Sequence, residues 1–288
     1  MKQSLILVVF MLGFLPKNNA QEAYKLYNSK GKEVKFSKML KELSDADVVF
    51  FGELHNNSLC HWMELQVLES LFENNKNISV GAEMFEADDQ LIVDEYFDGD
   101  YKTSNFEKEV KLWDNYKTDY KPLLEFSKDN NLKFVATNVP RRYASMVSSG
   151  GLEILDKLSS EAKSYFAPLP IAFDSEVPVY KEMMEMDMGH GGAHMNMENF
   201  AKAQAIKDAT MAYFISENLK SGAPFIHFNG EFHSKLHSGI IWHLNKYKPG
   251  LKIVTISTQE ADTLDFDSNY SDQGDFILVI PTDMAKSY

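Results

Sequence analysis

The sequence predicts an α/β protein: a mostly parallel sheet flanked by helices, with a helical lid or subdomain inserted. Three observations lead there. Short apolar, β-branched runs alternate with longer helical patterns. Those runs are apolar throughout, not at every second residue, as in strands buried on both faces and joined through helices. The chain has 288 residues, 44% of them hydrophobic and 12% aromatic, enough to fill a sizeable core.

The elements follow in order. Residues 48–51 read as the first strand, and 57–73 as a helix with Leu65, Leu68, Leu71 and Phe72 on one side. Residues 78–82 are a second strand. A helix at 121–130 precedes a third strand at 132–136. The long helix 199–220 precedes a fourth at 224–228. Strands five and six fall at 251–257 and 276–280. Between them, 88–129 and 152–199 show helices and loops without a strand, and read as insertions into one domain spanning 21–288. Glycines at 189, 191 and 192 break the second insertion.

Residues 1–20 read as a signal peptide: Lys2, an apolar run over 5–15, then Asn18, Asn19 and Ala20 before the polar Gln21. The run is too short for an ordinary transmembrane helix. The expectation is export across an inner membrane to a periplasmic or surface-associated location. No cysteine ends the leader, so a lipid anchor is not indicated. The single cysteine, Cys60, leaves no intrachain disulfide. Without Lys2 and Lys17 the 29 basic residues fall to 27 against 42 acidic ones, a net −15. That excess argues against nucleic acid and anionic lipid as partners.

Chemistry gathers where the strands end. The first ends in Gly52-Glu53-Leu54-His55 and the second in Gly81-Ala82-Glu83. The third ends in Thr137-Asn138-Val139-Pro140-Arg141, and the fourth in Asn229-Gly230-Glu231-Phe232-His233. In an open parallel sheet the crevice beyond the strand C-termini is where ligands bind. Two histidines with carboxylates can hold a divalent metal. Alternatively, Glu53 or Glu83 orients His55 as a general base while Arg141 holds an anionic group. The plainer alternative is a polar network capping the sheet edge. So much buried charge in one place favours a functional reading of Glu53, His55, Glu83, Arg141 and His233 together.

These stretches resemble the haem-binding uptake, Tiki and ChaN-type family. The likeness rests on Phe51-Gly-Glu-Leu-His55, Gly81-Ala-Glu-Met-Phe85, and Trp113 with Tyr116, Tyr120 and Pro122. It extends through Thr137-Asn-Val-Pro-Arg141, Ala203-Gln204 with Asp208 and Met211-Ala212, and Asn229-Gly-Glu-Phe-His233. The resemblance implies a parallel-sheet fold with helical insertions, a sheet-edge pocket, and haem held between two protomers. It also implies a role beside an outer-membrane haem receptor system. Tiki proteases and erythromycin-esterase-like hydrolases use the Glu53, His55, Glu83 and His233 positions for metal-dependent or base-assisted hydrolysis. Glu231 departs from the small residue expected there. An extra carboxylate would favour a cation, giving His55, Glu83, His233 and Glu231 as the expected metal set.

A second feature lies in the lid. Met183, Met184, Met186, Met188, Met195 and Met197 are six of the 14 methionines, with His190 and His194 among them. Thioethers and imidazoles suit haem iron and also Cu(I). The plainer alternative is a lid whose methionines pack on an apolar partner. Tyr180 is a candidate phenolate ligand, so Tyr180, Met188, His190 and His194 form the expected haem contacts. His61 and His243 read as structural, as does His237, although a helix running on from His233 would put it on the same side. Trp113, Tyr116 and Tyr120 could wall a porphyrin. Haem binding outside the cytoplasm is the expected function. The alternatives are a hydrolase using the Glu/His pocket, with or without a metal, and copper capture by the Met/His loop.

Overall fold

The computed structural model describes residues 22–186 and 196–288. The expected leader, Met188, His190 and His194 lie outside the described residues. Seven strands form one sheet: β1 (Lys25–Asn28), β2 (Val48–Glu53), β3 (Ser79–Glu86), β4 (Lys133–Asn138), β5 (Phe225–Gly230), β6 (Ile253–Ala261) and β7 (Phe276–Pro281). Their order is β1-β7-β6-β2-β5-β3-β4. Every neighbouring pair is parallel except β1 with β7.

The buried pattern of the strands explains the layering. In β2, Val49 and Phe51 pack with Cys60, Met63, Val67 and Leu71 of the helix Ser58–Asn74. Val48 and Phe50 point the other way, against Met211, Ala212 and Ile215 of the helix Met197–Asn218 and Ile240 and Leu244 of the helix Ile240–Tyr247. Successive side chains alternate between faces, and both faces are covered. Burying one such phenylalanine contributes on the order of 2 kcal/mol. β2 and β5, at the centre, are buried along their whole lengths.

Three local features aim residues at the C-terminal edge. Asn57 caps the helix Ser58–Asn74, accepting from Leu59 N at 3.1 Å and Cys60 N at 3.2 Å, so the chain turns directly after His55. β3 runs past the expected end at 82 to Glu86, and its register with β4 shifts between Ala82 and Glu86. Such irregularities re-aim side chains, and Glu83 lies within this one. A π-helical turn, Tyr116–Tyr120, buries Tyr116, Asp119 and Tyr120.

Two expectations need correction. β1 is an unforeseen strand on the sheet's edge, only four residues long and half-buried. The chain after β5 is not one helix: Leu236, His237 and Gly239 all take positive φ, 57°, 48° and 57°. A side chain on Gly239 would collide with the His233 carbonyl. His237 therefore leaves the His233 side and stands 3.7 Å from Asp275, largely exposed.

The stretch 88–129 folds as the helices Gln90–Asp98, Thr103–Glu109 and Lys121–Asp129 around the π turn. In 152–199 the main described helix is Pro178–Glu185, packed on the start of Met197–Asn218. Neither stretch contributes a strand among the described residues. No helix among them is long and apolar enough to cross a membrane.

Candidate functional site at the sheet edge

Gly230, the last residue of β5, is where the site closes. A Cβ there would lie 2.7 Å from both Cε1 and Nε2 of His55, and 3.6 Å from Glu83 Oε2. Only glycine lets the His55 ring lie this close to the β5 backbone. Glu83 Oε2 accepts from Gly230 N at 2.9 Å, and its Oε1 lies 3.1 Å from His233 Nε2. His55, Glu83 and His233, far apart in the chain, therefore meet around one residue.

His233 is fixed at both nitrogens. Nδ1 lies 2.5 Å from Asp208 Oδ1, and Asp208 Oδ2 accepts from the Tyr180 hydroxyl at 2.7 Å. Burial opposes charge on His233, but Glu83 and Asp208 outweigh it and raise its pKa to about 10. Burial likewise pushes Glu83 up, but His233 and His55 bring it well below the usual carboxylate range. Asp208 is raised, burial being the largest cause. The result is an imidazolium clamped between two carboxyl groups.

His55 is held differently. Its Nδ1 lies 2.6 Å from Glu53 Oε1, which also accepts from the Tyr120 hydroxyl at 2.8 Å. Burial lowers the His55 pKa, but the hydrogen bond and charge of Glu53 raise it further, for a net rise. The ring meets Trp113 edge-on at 5.0 Å, and the side chain is 37% exposed. Nε2 has no hydrogen-bond partner among the described residues. It is the site's available imidazole nitrogen. Paired with Glu53 it has the form of a general base.

Behind His55 lies a buried cluster. His61 Nδ1 stands 2.9 Å from Glu64 Oε2 and 3.7 Å from Glu53 Oε2. Burial raises Glu53, but the hydrogen bond with His55, the neighbouring Glu64 carboxyl and the nearness of His61 bring it down to about 2. Glu64 is held well above the usual range by burial and by the Glu53 charge. Among the described residues, Glu53, His61 and Glu64 form the one set of three donors whose ligand atoms all lie within 4.8 Å of one another.

The remaining expected site residues sit apart. Glu231 turns away, its Oε1 accepting from Ser257 Oγ and Gln259 Nε2, both at 3.0 Å. With His233 lacking a free nitrogen, His55, Glu83, His233 and Glu231 do not assemble as the expected metal set. Arg141 is outside the buried cluster, its side chain 64% exposed and its Nε 2.5 Å from Glu86 Oε1. It lines a cavity of about 400 Å³ with Leu112, Trp113, Val139 and Lys207. Arg142 pairs with Asp88 instead. Tyr180 is fully buried and committed to Asp208, which places it inside the fold and not on a ligand-facing surface. Tyr120 holds Glu53 and Tyr116 is core, while Trp113 alone of the three lines the cavity. Glu64 and Asp119 had no role in the sequence reading, and Asp208 entered it only as part of the family likeness. Asp208 lies inside a long helix where a lone carboxylate reads as solvated, and Glu64 with His61 differ only by helical spacing from surface pairs.

Residues 39–244 match the family model described as haem-binding uptake, Tiki superfamily, ChaN. The chain belongs to this family. The ChaN-type fold is also seen in the solved structure of ChaN from Campylobacter jejuni, described as binding haem cofacially. That structure matches with a TM-score of 0.68 and 18% identity, over 90% of this chain and 98% of that one. A curated relative, the chloroplastic Protein RETICULATA-RELATED 5 of Arabidopsis thaliana, is 24% identical over 203 residues. The match takes in 67% of this chain but spans only 27% of that relative. The ChaN-type assignment agrees with the expected fold class, a mostly parallel sheet flanked by helices, here of seven strands where six were expected.

Proposed function

We propose that this chain binds haem outside the cytoplasm, as part of haem or iron uptake, with haem held between two protomers beneath the lid. The observation that carries the reading is the family match over residues 39–244. The cavity lined by Trp113, on which the His55 ring packs, supports it chemically. Trp113, Leu112 and Val139 offer apolar walls, and Arg141 and Lys207 supply cations for the two propionates. Tyr180 does not fit as an axial ligand, because its hydroxyl is buried and donated to Asp208. Bound haem would supply a redox-active iron, and His190, His194 and Met188 are the residues proposed to hold it. Export, the homodimer and an outer-membrane haem receptor system as partner belong to the same proposal. Titrating haemin into the purified chain should shift the Soret band and convert monomer to dimer in sedimentation. No spectral change at micromolar haemin would remove the reading.

A second reading, hydrolysis, is favoured by one observation: His55 has its Nδ1 on Glu53, its Nε2 without a hydrogen-bond partner among the described residues, and its ring against Trp113, which lines the cavity. In it His55 takes a proton from water, Glu53 orients the ring, and the clamped His233 holds positive charge beside Glu83. Ester or peptide turnover lost in His55→Ala supports it. An inert chain over a broad substrate panel sinks it.

A further inference from the structure

The cluster behind His55 has lone pairs that the haem reading does not use. His61 Nε2 lies 3.1 Å from the His55 carbonyl oxygen and 3.4 Å from Asp119 Oδ2. A carbonyl only accepts, so Nε2 carries a hydrogen, and in the neutral ring Nδ1 then turns its lone pair toward the two glutamates. Glu53 Oε2 and Glu64 Oε1 are both buried and have no hydrogen-bond partner. Glu53 is 1% and Glu64 0% exposed. Three side chains thus direct electron pairs into one dry space, and their ligand atoms fall within 4.8 Å of one another. A single proton on Glu64 satisfies one of those lone pairs and leaves the others facing it.

We propose that Glu53, His61 and Glu64 form a buried site for a divalent transition metal. His61 Nδ1 and one oxygen each from Glu53 and Glu64 provide three donors, and the second Glu64 oxygen, buried without a hydrogen-bond partner, is available as the fourth that zinc takes in structural sites. One imidazole with carboxylates suits Zn²⁺ and comparable borderline ions. The two carboxylates balance the ion's charge, and the proton that Glu64 carries without metal leaves to solvent on loading. The surrounding groups are arranged as an outer shell. Asp119 and the His55 carbonyl fix the His61 tautomer, while His55 Nδ1 and Tyr120 hold the far oxygen of Glu53. With no exposed ligand the metal enters as the chain folds, and its role is structural.

The test uses the full, haem-free chain, refolded from denaturant with excess Zn²⁺, washed with a chelator, and measured by elemental analysis. The expected content is about one Zn²⁺ per chain, with a higher melting temperature than chain refolded under chelator. X-ray absorption should show one nitrogen among oxygen ligands. Glu64→Gln should lose the metal, while His233→Gln and Glu231→Gln keep it. Gln mimics a protonated Glu64, so a site holding only a proton predicts a metal-free wild type and a Gln variant at least as stable. That result overturns the proposal, as does metal retained in Glu64→Gln. Should Glu64→Gln not fold, the wild-type zinc content and its effect on melting decide alone.

Discussion

His233 Nδ1 stands 2.5 Å from Asp208 Oδ1, although the two residues lie on a turn after β5 and in the middle of a long helix. The pair joins the Met197–Asn218 helix to the sheet edge and sets the charge of His233. Asp208→Ala should therefore destabilise the fold by about 3 kcal/mol, because it leaves a buried imidazolium with one partner. Asp208→Asn should cost less. In both variants NMR titration should show the His233 pKa falling from about 10. An unchanged titration would mean that Glu83 alone holds the charge.

Gly230→Ala should disturb His55 first, meeting Glu83 Oε2 only at an ordinary 3.6 Å contact. The new methyl would lie 2.7 Å from the His55 ring against β5 backbone. Overpacking of this kind costs about 1–3 kcal/mol. The ring is the movable partner, so the Glu53–His55 hydrogen bond should break. The raised His55 pKa should then fall, which ¹⁵N spectra of the imidazole would report. A variant with wild-type His55 titration would mean that the backbone, not the ring, gives way.

The sheet was legible because its central strands carry runs such as Val48-Val49-Phe50-Phe51, which only burial on two faces explains. β1 was not, because a four-residue half-buried edge strand has no pattern distinct from a loop. The meeting of His55, Glu83 and His233 followed from parallel strands ending side by side. The place of Glu231 did not, because a one-residue step at a turn sends neighbouring side chains in opposite directions. The pairing of Asp208 with His233 was invisible for another reason: the partner comes from a different element, and a sequence does not display which helix face meets which strand end.

Acid should weaken the fold through His227. This residue is fully buried in β5, between Thr137 Oγ1 at 2.8 Å and Asn229 Oδ1 at 3.0 Å. Burial lowers its pKa from 6.5 to about 4. Between those values the unfolded chain binds a proton that the folded chain does not. Stability is thus complete above pH 6.5 and declines as pH falls toward 4, by about 3 kcal/mol for this group. His233 acts oppositely: its contribution is present below 6.5 and fades as pH rises through about 10. Urea unfolding at a series of pH values should show both limbs. His227→Gln should flatten the acid limb by about one proton, and an unchanged slope would assign that limb to His243, lowered to about 3, and the carboxylates.

Tyr180→Phe separates the buried tyrosine from any role in haem ligation. The substitution removes only the hydroxyl that donates to Asp208 at 2.7 Å and lies 3.1 Å from His243 Nε2. The lost hydrogen bond to a carboxylate should destabilise the chain by about 2 kcal/mol. His243, lowered to about 3 by burial, stays neutral at working pH and cannot replace the donor to Asp208 from its fixed place in the helix. The Soret spectrum of the haemin complex should be unchanged, since the phenol does not reach a surface. If the spectrum instead loses its phenolate character, the helix Pro178–Glu185 must open on binding to present Tyr180 to iron. The buried contact with Asp208 would then be the closed state of a lid. Substituting His190 and His194 together gives the complementary result, a displaced Soret band.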